Sequence, residues 1–303
     1  MRRAFLFGMM ALGFALCAAP ALAQPAPPET QSYQSVVDEL LAADRDFSAA
    51  SAKVELADGI GAMLDGDAAM PVPGGFARGK DAVVAALKAN PANAGARATW
   101  APVRGGISAD RSHGFTLGFM TVSADGKPDR KAKYLSYWIR RPEGWRVAVY
   151  KRQGRPDGDV SLELMPASLP EATLQRATDS SKLEAYRASL DKAERAFSDL
   201  AQTIGLGPAF VQNGRPDATN AGSGPGFTVG NARIGADIGG GEGPGLTWAP
   251  DGGVIVAATG DLGITWGLIR PKTAPKPGEP TALPYTTIWR RAGPDQPWRY
   301  VAE

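Results

Sequence analysis

The chain contains the same sequence unit twice, and this internal repeat constrains the fold more than any other feature. Six short motifs of the first part return later in the same order, at offsets between 148 and 153 residues. The motifs begin at Ala43, Gly75, Thr99, Gly114, Tyr134 and Trp145, and their counterparts begin at Ala193, Gly226, Thr247, Gly263, Tyr285 and Trp298. Ordered matches at a nearly constant offset indicate a duplicated structural unit. In a chain of 303 residues this predicts two domains of one fold, over 33–152 and 183–303.

Each unit opens with a helical pattern and continues with strand patterns. Apolar residues recur at helical spacing over 33–54 and 186–204. Segments rich in β-branched and aromatic residues follow in the first unit, at about 98–108, 113–123, 133–141 and 145–151. Asp65-Gly66-Asp67 is predicted to be a turn. Helices followed by a meander predict an α+β unit, with N-terminal helices packed on one face of a curved antiparallel sheet.

The second unit departs from the first at a glycine-rich stretch. Ten glycines lie between Gly222 and Gly245, where the first unit has a short helix predicted over 81–87. Because glycine costs about 1 kcal/mol relative to alanine in a helix interior, we expect a loop there and a degenerate second domain. Residues 153–182, in which Gly, Pro, Asp and Ser are concentrated, are predicted to be a linker with a short ordered piece at 162–164.

The first 23 residues have the pattern of a cleaved secretory signal peptide. Arg2 and Arg3 precede an apolar stretch over 4–19, and an Ala-x-Ala cleavage site ends at Ala23. We therefore expect cleavage after Ala23, a disordered N-terminus over 24–32, and a periplasmic or secreted location. The alternative, a membrane anchor, fits less well because the apolar stretch is short and a proline-rich segment follows it.

Cleavage would also change the charge and the cysteine content. The remaining 280 residues carry 31 basic and 31 acidic residues and no cysteine, since Cys17 lies in the signal peptide. A neutral chain has no general electrostatic attraction for nucleic acid or anionic lipid. With one histidine and no cysteine, we expect no metal site, no cofactor and no disulfide. No later segment is apolar enough for stable membrane insertion.

The order of motifs resembles the nuclear transport factor 2-like (SnoaL-like) superfamily, in one of its bacterial branches of domains of unknown function. The resemblance rests on the long first helix, the Gly-Phe-x-x-Gly-Lys-Asp-Ala turn at 75–82, the Gly-Phe-Thr-x-Gly strand at 114–118, the Tyr-x-x-x-Trp strand at 134–138 and Gly-Trp-Arg-Val at 144–147. It implies tandem cone-shaped domains, each with a pocket between helices and sheet. The superfamily includes isomerases, cyclases, dehydratases and binding domains without catalysis, so it assigns no reaction.

Aromatic side chains on the predicted strands are the candidates for a ligand site. Tyr134 and Trp138 share one face of their strand, and Tyr285 and Trp289 repeat that face in the second unit. Phe115 lies on one face of the preceding strand. If these faces point at the helices, the five side chains border a small apolar pocket. The alternative is that they are simply core.

Catalysis would need an acid–base pair in such a pocket. Asp67 and Tyr134 are the candidates for a carboxylate base facing an oxyanion donor, as in the ketosteroid isomerases that the resemblance includes. His113, the only histidine, has a side chain suited to acid–base chemistry. Alternatively, it is a surface residue at the edge of its strand.

Three functions remain open. The leading one is an exported pair of cone domains that binds a small apolar or amphipathic molecule without catalysis. The second is an isomerase, dehydratase or hydrolase that acts on a small hydrophobic substrate in the first domain. The third is an interaction or structural protein whose two domains pack as an intrachain pseudo-dimer, since related cone domains often dimerise through the outer face of the sheet.

Overall fold

The computed structural model describes residues 31–240, 244–276, 278 and 280–303. The predicted signal peptide and most of the predicted disordered N-terminus lie outside the described residues. Within these ranges, no helix has the length and apolar character needed to cross a membrane. We call residues 32–154 the first half and residues 180–303 the second half.

The first half consists of three helices and one six-stranded sheet. The helices are α1 (Tyr33–Ser51), α2 (Leu56–Met63) and α3 (Lys80–Ala89), and a short 3₁₀ helix covers Pro91–Asn93. The strands are β1 (Leu64–Val72), β2 (Gly75–Arg78), β3 (Ala96–Ile107), β4 (His113–Ala124), β5 (Arg130–Arg141) and β6 (Gly144–Gly154). Their order in the sheet is β2-β1-β6-β5-β4-β3.

The second half repeats this arrangement. Its helices are α4 (Ser180–Ile204), α5 (Leu206–Asn213) and α6 (Asn231–Ile238). Its strands are β7 (Gly214–Asn220), β8 (Thr228–Val229), β9 (Leu246–Val256), β10 (Leu262–Pro271), β11 (Leu283–Arg290) and β12 (Arg299–Ala302). The strand order β8-β7-β12-β11-β10-β9 is the same topology as in the first half. The predicted α+β architecture with helices packed on curved sheets is therefore confirmed.

Both sheets are mixed, whereas we expected antiparallel sheets. The meander β3–β6 is antiparallel throughout, but β1 pairs with β6 in parallel, and β7 pairs with β12 in parallel. The predicted turn at Asp65-Gly66-Asp67 is wrong, because these residues lie within β1. The pairing register of β1 shifts between Leu64 and Ala69. Such an irregularity leaves residues unpaired, which is how polar turn-forming residues fit inside a strand.

The helix that starts after the first hairpin begins at a glycine in both halves. Gly79 precedes α3 with a φ of 84°, and Gly230 precedes α6 with a φ of 94°. These left-handed conformations favour glycine. The amide of Gly79 donates to the Ala68 carbonyl at 2.8 Å, and the amide of Gly230 donates to the Ala218 carbonyl at 2.8 Å. Each helix is thereby tied to the first strand of its own sheet.

The loop predicted for the glycine-rich stretch of the second half is wrong, because residues 231–238 form α6. Gly235 lies in the middle of this helix. A Cβ atom at Gly235 would lie 2.7 Å from the carbonyl oxygen of Gly207 in α5 and would also meet the side chain of Val211. The glycine therefore permits the close approach of two helices, and the packing of α5 on α6 outweighs its low helix propensity.

Three apolar clusters form the core. One lies between helices and sheet in the first half, and one lies between helices and sheet in the second half. The third, which we call the inter-sheet cluster, joins the outer faces of the two sheets. Its members include Phe115, Leu117, Phe119, Leu135, Tyr137 and Val149 from the first sheet and Leu262, Ile264, Trp266, Ile288 and Val301 from the second.

Buried polar contacts also join the two halves. Arg290, which is 1% exposed, donates from Nη2 to the carbonyl of Ile107 at 2.7 Å and from Nε to Ser168 Oγ at 2.8 Å. Its Nη1 forms a buried ion pair with Asp261 at 3.4 Å. The same carboxylate oxygen, Asp261 Oδ2, also accepts from the amide of Ala109 in the first half at 3.0 Å. These bonds satisfy charged groups that would otherwise be costly to bury.

The segment between the halves lies along the edge strand of the first sheet. The amide of Met165 donates to the Val103 carbonyl at 2.7 Å, and the amide of Ser168 donates to the Gly105 carbonyl at 2.9 Å. The ordered piece is thus 165–168 rather than the predicted 162–164, in which Leu162 is 59% exposed. The reason is that β3 is an edge strand, whose free backbone groups offer hydrogen bonds to a neighbouring segment.

Candidate functional site

A buried carboxyl group lies at the centre of the first half. Asp44, on the buried face of α1, is fully buried. Trp100 Nε1 on β3 donates to its Oδ1 at 2.6 Å, and the hydroxyl of Tyr134 on β5 donates to its Oδ2 at 2.7 Å. Burial raises the pKa of Asp44, and the hydrogen bonds from Tyr134, Thr116 and Trp100 lower it in part. The carboxyl group therefore fastens the long helix to three neighbouring strands.

The second half has a glutamate at the equivalent position. Glu194 on α4 is fully buried and accepts from Trp248 Nε1 at 2.6 Å. Its Oε2 accepts from the hydroxyl of Thr265 and from Trp289 Nε1 at 3.0 Å. Burial raises the pKa of Glu194 to about 7, against the lowering effect of these donors. Both halves thus place a carboxylate, a tryptophan pair and a threonine in the core, although Trp289 donates to Glu194 whereas Trp138 donates to Thr116.

Neither carboxylate was among the candidate site residues predicted from the sequence. The available signal was that Asp44 and Ser48, four residues apart, recur as Glu194 and Ser198 on the apolar face of an amphipathic helix. A carboxylate on a buried helix face needs hydrogen-bond donors. The serines take part as well, because Ser48 Oγ accepts from the Trp100 amide at 2.6 Å and Ser198 Oγ accepts from the Trp248 amide at 3.1 Å.

Four of the predicted aromatic residues lie inside the two halves, facing the helices. Tyr134 and Trp138 belong to the core of the first half and are 3% and 0% exposed. Trp138 Nε1 donates to the Thr116 hydroxyl at 2.8 Å. Tyr285 and Trp289 are 3% and 0% exposed in the core of the second half. The structure places all four among buried, close-packed side chains.

The expectation that Phe115 faces the same pocket is wrong. Phe115 pairs with Tyr137 across β4 and β5, whereas Trp138 pairs with Gly114. Directly paired residues share a face of the sheet, so Phe115 points away from Trp138. It lies in the inter-sheet cluster. The alternation of β4 does not reveal this, because both faces of the strand are buried and both are apolar.

The structure does not bring the predicted acid–base residues together. Asp67 is exposed on β1, whereas the Tyr134 hydroxyl is bound to Asp44. His113 lies on the face of β4 that meets the other sheet, half-buried, and its Nδ1 shares a hydrogen bond of 2.9 Å with the hydroxyl of Tyr137. Burial lowers the pKa of His113 to about 4, so its ring is neutral at pH 7. The surface position considered for His113 is wrong, since the second sheet covers this face.

A cavity of about 550 Å³, which we call the first-half cavity, lies between the end of β1, α3 and the 3₁₀ helix. Its apolar lining includes Met70, Pro71, Val72, Ala86, Leu87 and Pro91. Three polar side chains also line it, Asn90, Asn93 and Arg152. The volume lies within the range of about 300–1,000 Å³ that is typical of small-molecule sites.

A second cavity of about 750 Å³, the second-half cavity, lies between the end of β7, the following glycine-rich segment and α6. Its lining includes Asn220, Ser223, Phe227, Thr228, Arg233 and Asp237. Neither Asp44 nor Glu194 lines either of these two cavities. Within the described part of the chain, no group of three or more His, Cys, Asp or Glu side chains is placed to hold a metal ion.

Comparisons with known proteins find similarity only in structure. No protein-family model matches the chain, and no curated protein matches it significantly. A domain of unknown function with a cystatin-like fold from Nostoc punctiforme is 15% identical, with a TM-score of 0.33, over 38% of this chain and 77% of its own. A nuclear transport factor 2-like protein with a cystatin-like fold from Novosphingobium aromaticivorans is 18% identical, with a TM-score of 0.30, over 40% of this chain and 88% of its own.

A protein from Mycobacterium tuberculosis, solved in complex with estradiol-17β-hemisuccinate, is 15% identical, with a TM-score of 0.29, over 37% of this chain and 91% of its own. At these identities and scores, the matches assign no function. The fold follows from the helices and the strand order that each half repeats. The chain contains two tandem copies of the nuclear transport factor 2-like, or cystatin-like, cone fold, as the sequence resemblance implied.

Proposed function

We propose that this is an exported, non-catalytic binding protein for a small amphipathic molecule, which it holds in the first-half cavity. The observation that carries the proposal is the composition of the cavity wall. Apolar side chains form most of the lining, and a guanidinium group lies among them. Ligand sites of this kind bind an apolar body by burial and orient it with a few polar groups.

We expect Arg152 to bind the polar end of the ligand. Its Nη2 donates to Asn93 Oδ1 at 3.0 Å. Its Nη1 is buried and has no hydrogen-bond partner among the described residues. A buried donor without a partner is unfavourable. Arg152 lines the cavity, so its guanidinium is the positively charged group that a ligand there meets. An acidic head group fits best, because hydrogen bonds between a guanidinium and a carboxylate are charge-assisted.

Binding of decanoate, measured by titration calorimetry, tests this proposal. We expect decanoate to bind, and the variant Arg152→Met to bind it at least about tenfold more weakly. The matched control is Arg233→Met, which removes the same charge from the other cavity and should leave decanoate binding unchanged. No measurable binding of decanoate to the unaltered protein, or equal weakening by both variants, would overturn the proposal.

We propose binding without catalysis because the two carboxyl groups inside the halves, Asp44 and Glu194, are already hydrogen-bonded to the protein. Both oxygens of Asp44 and both oxygens of Glu194 accept hydrogen bonds from protein donors. A general base needs a lone pair directed at the substrate proton. The alternative of an isomerase, dehydratase or hydrolase that uses Asp67 with Tyr134 has lost its geometric basis, since Asp67 is exposed.

Export is part of the proposal and is supported by the N-terminal sequence. N-terminal sequencing of the protein recovered from the cell envelope or the culture medium should give a mature chain that starts at Gln24. Recovery of the chain from the cytosol with its first 23 residues intact would contradict export.

We further infer that the two halves act as an intrachain pseudo-dimer. The inter-sheet cluster supports this, because the face that each sheet turns away from its own helices is apolar and covered by the other half. The full chain should therefore be a monomer by light scattering. The halves expressed separately should aggregate or pair, since each would expose an apolar sheet face. Two separately stable, monomeric halves would contradict this inference.

A further inference from the structure

The two cavities occupy the same place in the two copies of the fold. β1 pairs with β6 at Ala69, and β7 pairs with β12 at Thr219, in the same parallel arrangement. The glycine that begins the following helix bonds back to this strand in both halves. Met70 and Asn220 are therefore equivalent, and each lines the cavity of its own half.

The chemistry of the two linings differs at these equivalent positions. Where the first-half cavity has Met70, Pro73 and Ala86, the second-half cavity has Asn220, Ser223 and Asp237. Each replacement exchanges an apolar side chain for a hydrogen-bonding one. The duplicated site has therefore kept its position and changed the kind of molecule that it suits.

The polar groups of the second-half cavity include more donors than acceptors. Arg233 makes no hydrogen bond or ion pair with any residue that the structure describes, and its guanidinium offers several donors. Asn220 and Ser223 add an amide and a hydroxyl. Asp237, four residues after Arg233 on α6, is the charged acceptor. One of its oxygens accepts from the Thr228 hydroxyl at 2.9 Å, which leaves the other for a ligand.

The first half holds the rim of this cavity in place. Lys133 on β5, which is 1% exposed, donates from Nζ to the carbonyl of Gly224 at 2.6 Å and to the carbonyl of Ala221. The ring of Phe227, which lines the cavity, packs against Phe119 of the first half with ring centroids 5.0 Å apart. A rim fixed before binding lowers the ordering cost of holding a small polar ligand.

We propose that the second-half cavity is a second binding site, which takes a small hydroxylated carboxylate of the sugar-acid class. Arg233 binds the ligand carboxylate, and Asp237 accepts a hydrogen bond from a ligand hydroxyl. The site is distinct from the first-half cavity in position and in ligand chemistry. It follows from divergence of the two copies and does not depend on the binding of an amphipathic molecule in the first half.

Three probes separate the parts of this proposal in calorimetric titrations of the full mature chain. Gluconate carries a carboxylate and hydroxyls, hexanoate carries only the carboxylate, and glucitol carries only hydroxyls. We expect gluconate to bind at least about tenfold more tightly than either of the other two. Gluconate that binds no more tightly than hexanoate would overturn the proposed ligand class.

Matched variants locate the site. Arg233→Met should weaken gluconate binding at least about tenfold, whereas Arg152→Met should leave it unchanged. Asp237→Ala should weaken gluconate binding and leave any hexanoate binding unchanged. Arg233 and Asp237 are exposed, so the variants should keep the melting temperature of the unaltered protein. Gluconate binding that survives Arg233→Met, or that is lost with Arg152→Met, would overturn the site.

Discussion

Asp44 and Glu194 show how one methylene group redistributes the hydrogen bonds of a core. The longer side chain of Glu194 reaches Trp289 Nε1 directly, at 3.0 Å. Trp289 Nε1 also donates to the hydroxyl of Thr265 at 2.9 Å. In the first half, the equivalent Trp138 donates to Thr116, and the Tyr134 hydroxyl donates to Oδ2 of Asp44. The Tyr285 hydroxyl, equivalent to that of Tyr134, is consequently buried with no hydrogen-bond partner among the described residues.

This difference predicts different effects on stability for the same substitution at two equivalent tyrosines. Tyr134→Phe removes a donor from a buried carboxyl group and should lower the free energy of unfolding by about 1–3 kcal/mol. Tyr285→Phe removes a hydroxyl that has no partner, so it should be neutral or slightly stabilising. Urea denaturation of both variants measures the difference. A loss for Tyr285→Phe as large as that for Tyr134→Phe would contradict the hydrogen-bond assignment.

The carboxyl group of Glu194 should make the stability of the protein depend on pH. Its pKa in the folded protein, about 7, lies above the ordinary value of 4.5, so the folded state holds this proton more tightly than the unfolded chain does. Stability from this proton is complete below pH 4.5 and is lost as the pH rises through about 7.

The measurement is urea denaturation of the unaltered protein and of Glu194→Gln at about pH 5 and about pH 8. The unaltered protein should lose about 2–3 kcal/mol more than Glu194→Gln between these two conditions. Other titrating groups act on both proteins and cancel in the comparison. Parallel pH profiles for the two proteins would show that Glu194 does not titrate in this range.

At the residue scale, the sequence was sufficient to predict the direction of a side chain where that direction follows from alternation along one strand. The shared face of Tyr134 and Trp138 follows from alternation, and both point at the helices. The direction of Phe115 depends on the second sheet, which covers the outer face of β4. The role of Asp44 depends on donors from β3 and β5, which local spacing does not bring together.

At the scale of elements, α5 and α6 explain why a glycine-rich sequence can form a helix. Of the ten glycines in this stretch, only Gly235 lies within α6, and contact with α5 requires the absence of a side chain at this position. Propensity is a local quantity, whereas this contact joins residues far apart in sequence. The four strands of the first meander were predictable, because their alternation and turns are local. β1 was not predictable, because its polar residues occupy an irregular stretch of pairing.

The same contact gives a prediction that runs against helix propensity. Gly235→Ala should destabilise the protein by about 1–3 kcal/mol, because the new methyl group would overlap the Gly207 carbonyl and the Val211 side chain. Propensity alone predicts stabilisation by about 1 kcal/mol. Ala236→Gly, at the next and exposed position, is the control and should cost about 1 kcal/mol through propensity. Thermal denaturation of the two variants distinguishes destabilisation by steric overlap from stabilisation by helix propensity. A raised melting temperature for Gly235→Ala would contradict the packing of α5 on α6.

At the scale of the whole molecule, Arg290 and Asp261 should couple the stability of the two halves. Both belong to the second half and both bond to the first, Arg290 at the Ile107 carbonyl and Asp261 at the Ala109 amide. Arg290→Met leaves the carboxylate of Asp261 buried without its cation and should cost about 3–5 kcal/mol. The double variant Arg290→Met with Asp261→Asn should recover part of this loss, because it removes the uncompensated charge. Arg140→Met, which breaks an exposed pair with Glu39, should cost less than about 1 kcal/mol.

Urea unfolding of these variants should show one transition, because the inter-sheet cluster joins the cores of both halves. A second transition in Arg290→Met alone would mean that the hydrogen bonds from Arg290 to the first half, rather than the apolar cluster, hold the halves together. A loss for Arg290→Met no larger than that for Arg140→Met would contradict the coupling.

The strip of chain at 165–168 that lies along β3 has a consequence for assembly. Because this strip is hydrogen-bonded to the first half, the chain that continues into the second half starts next to the first half of the same molecule. Exchange of halves between two molecules would have to use residues 169–179 as the only connection, which disfavours a swapped dimer. Because the two halves belong to one chain, they associate in a one-to-one ratio at any protein concentration. One copy can therefore change its binding chemistry without losing its contact with the other.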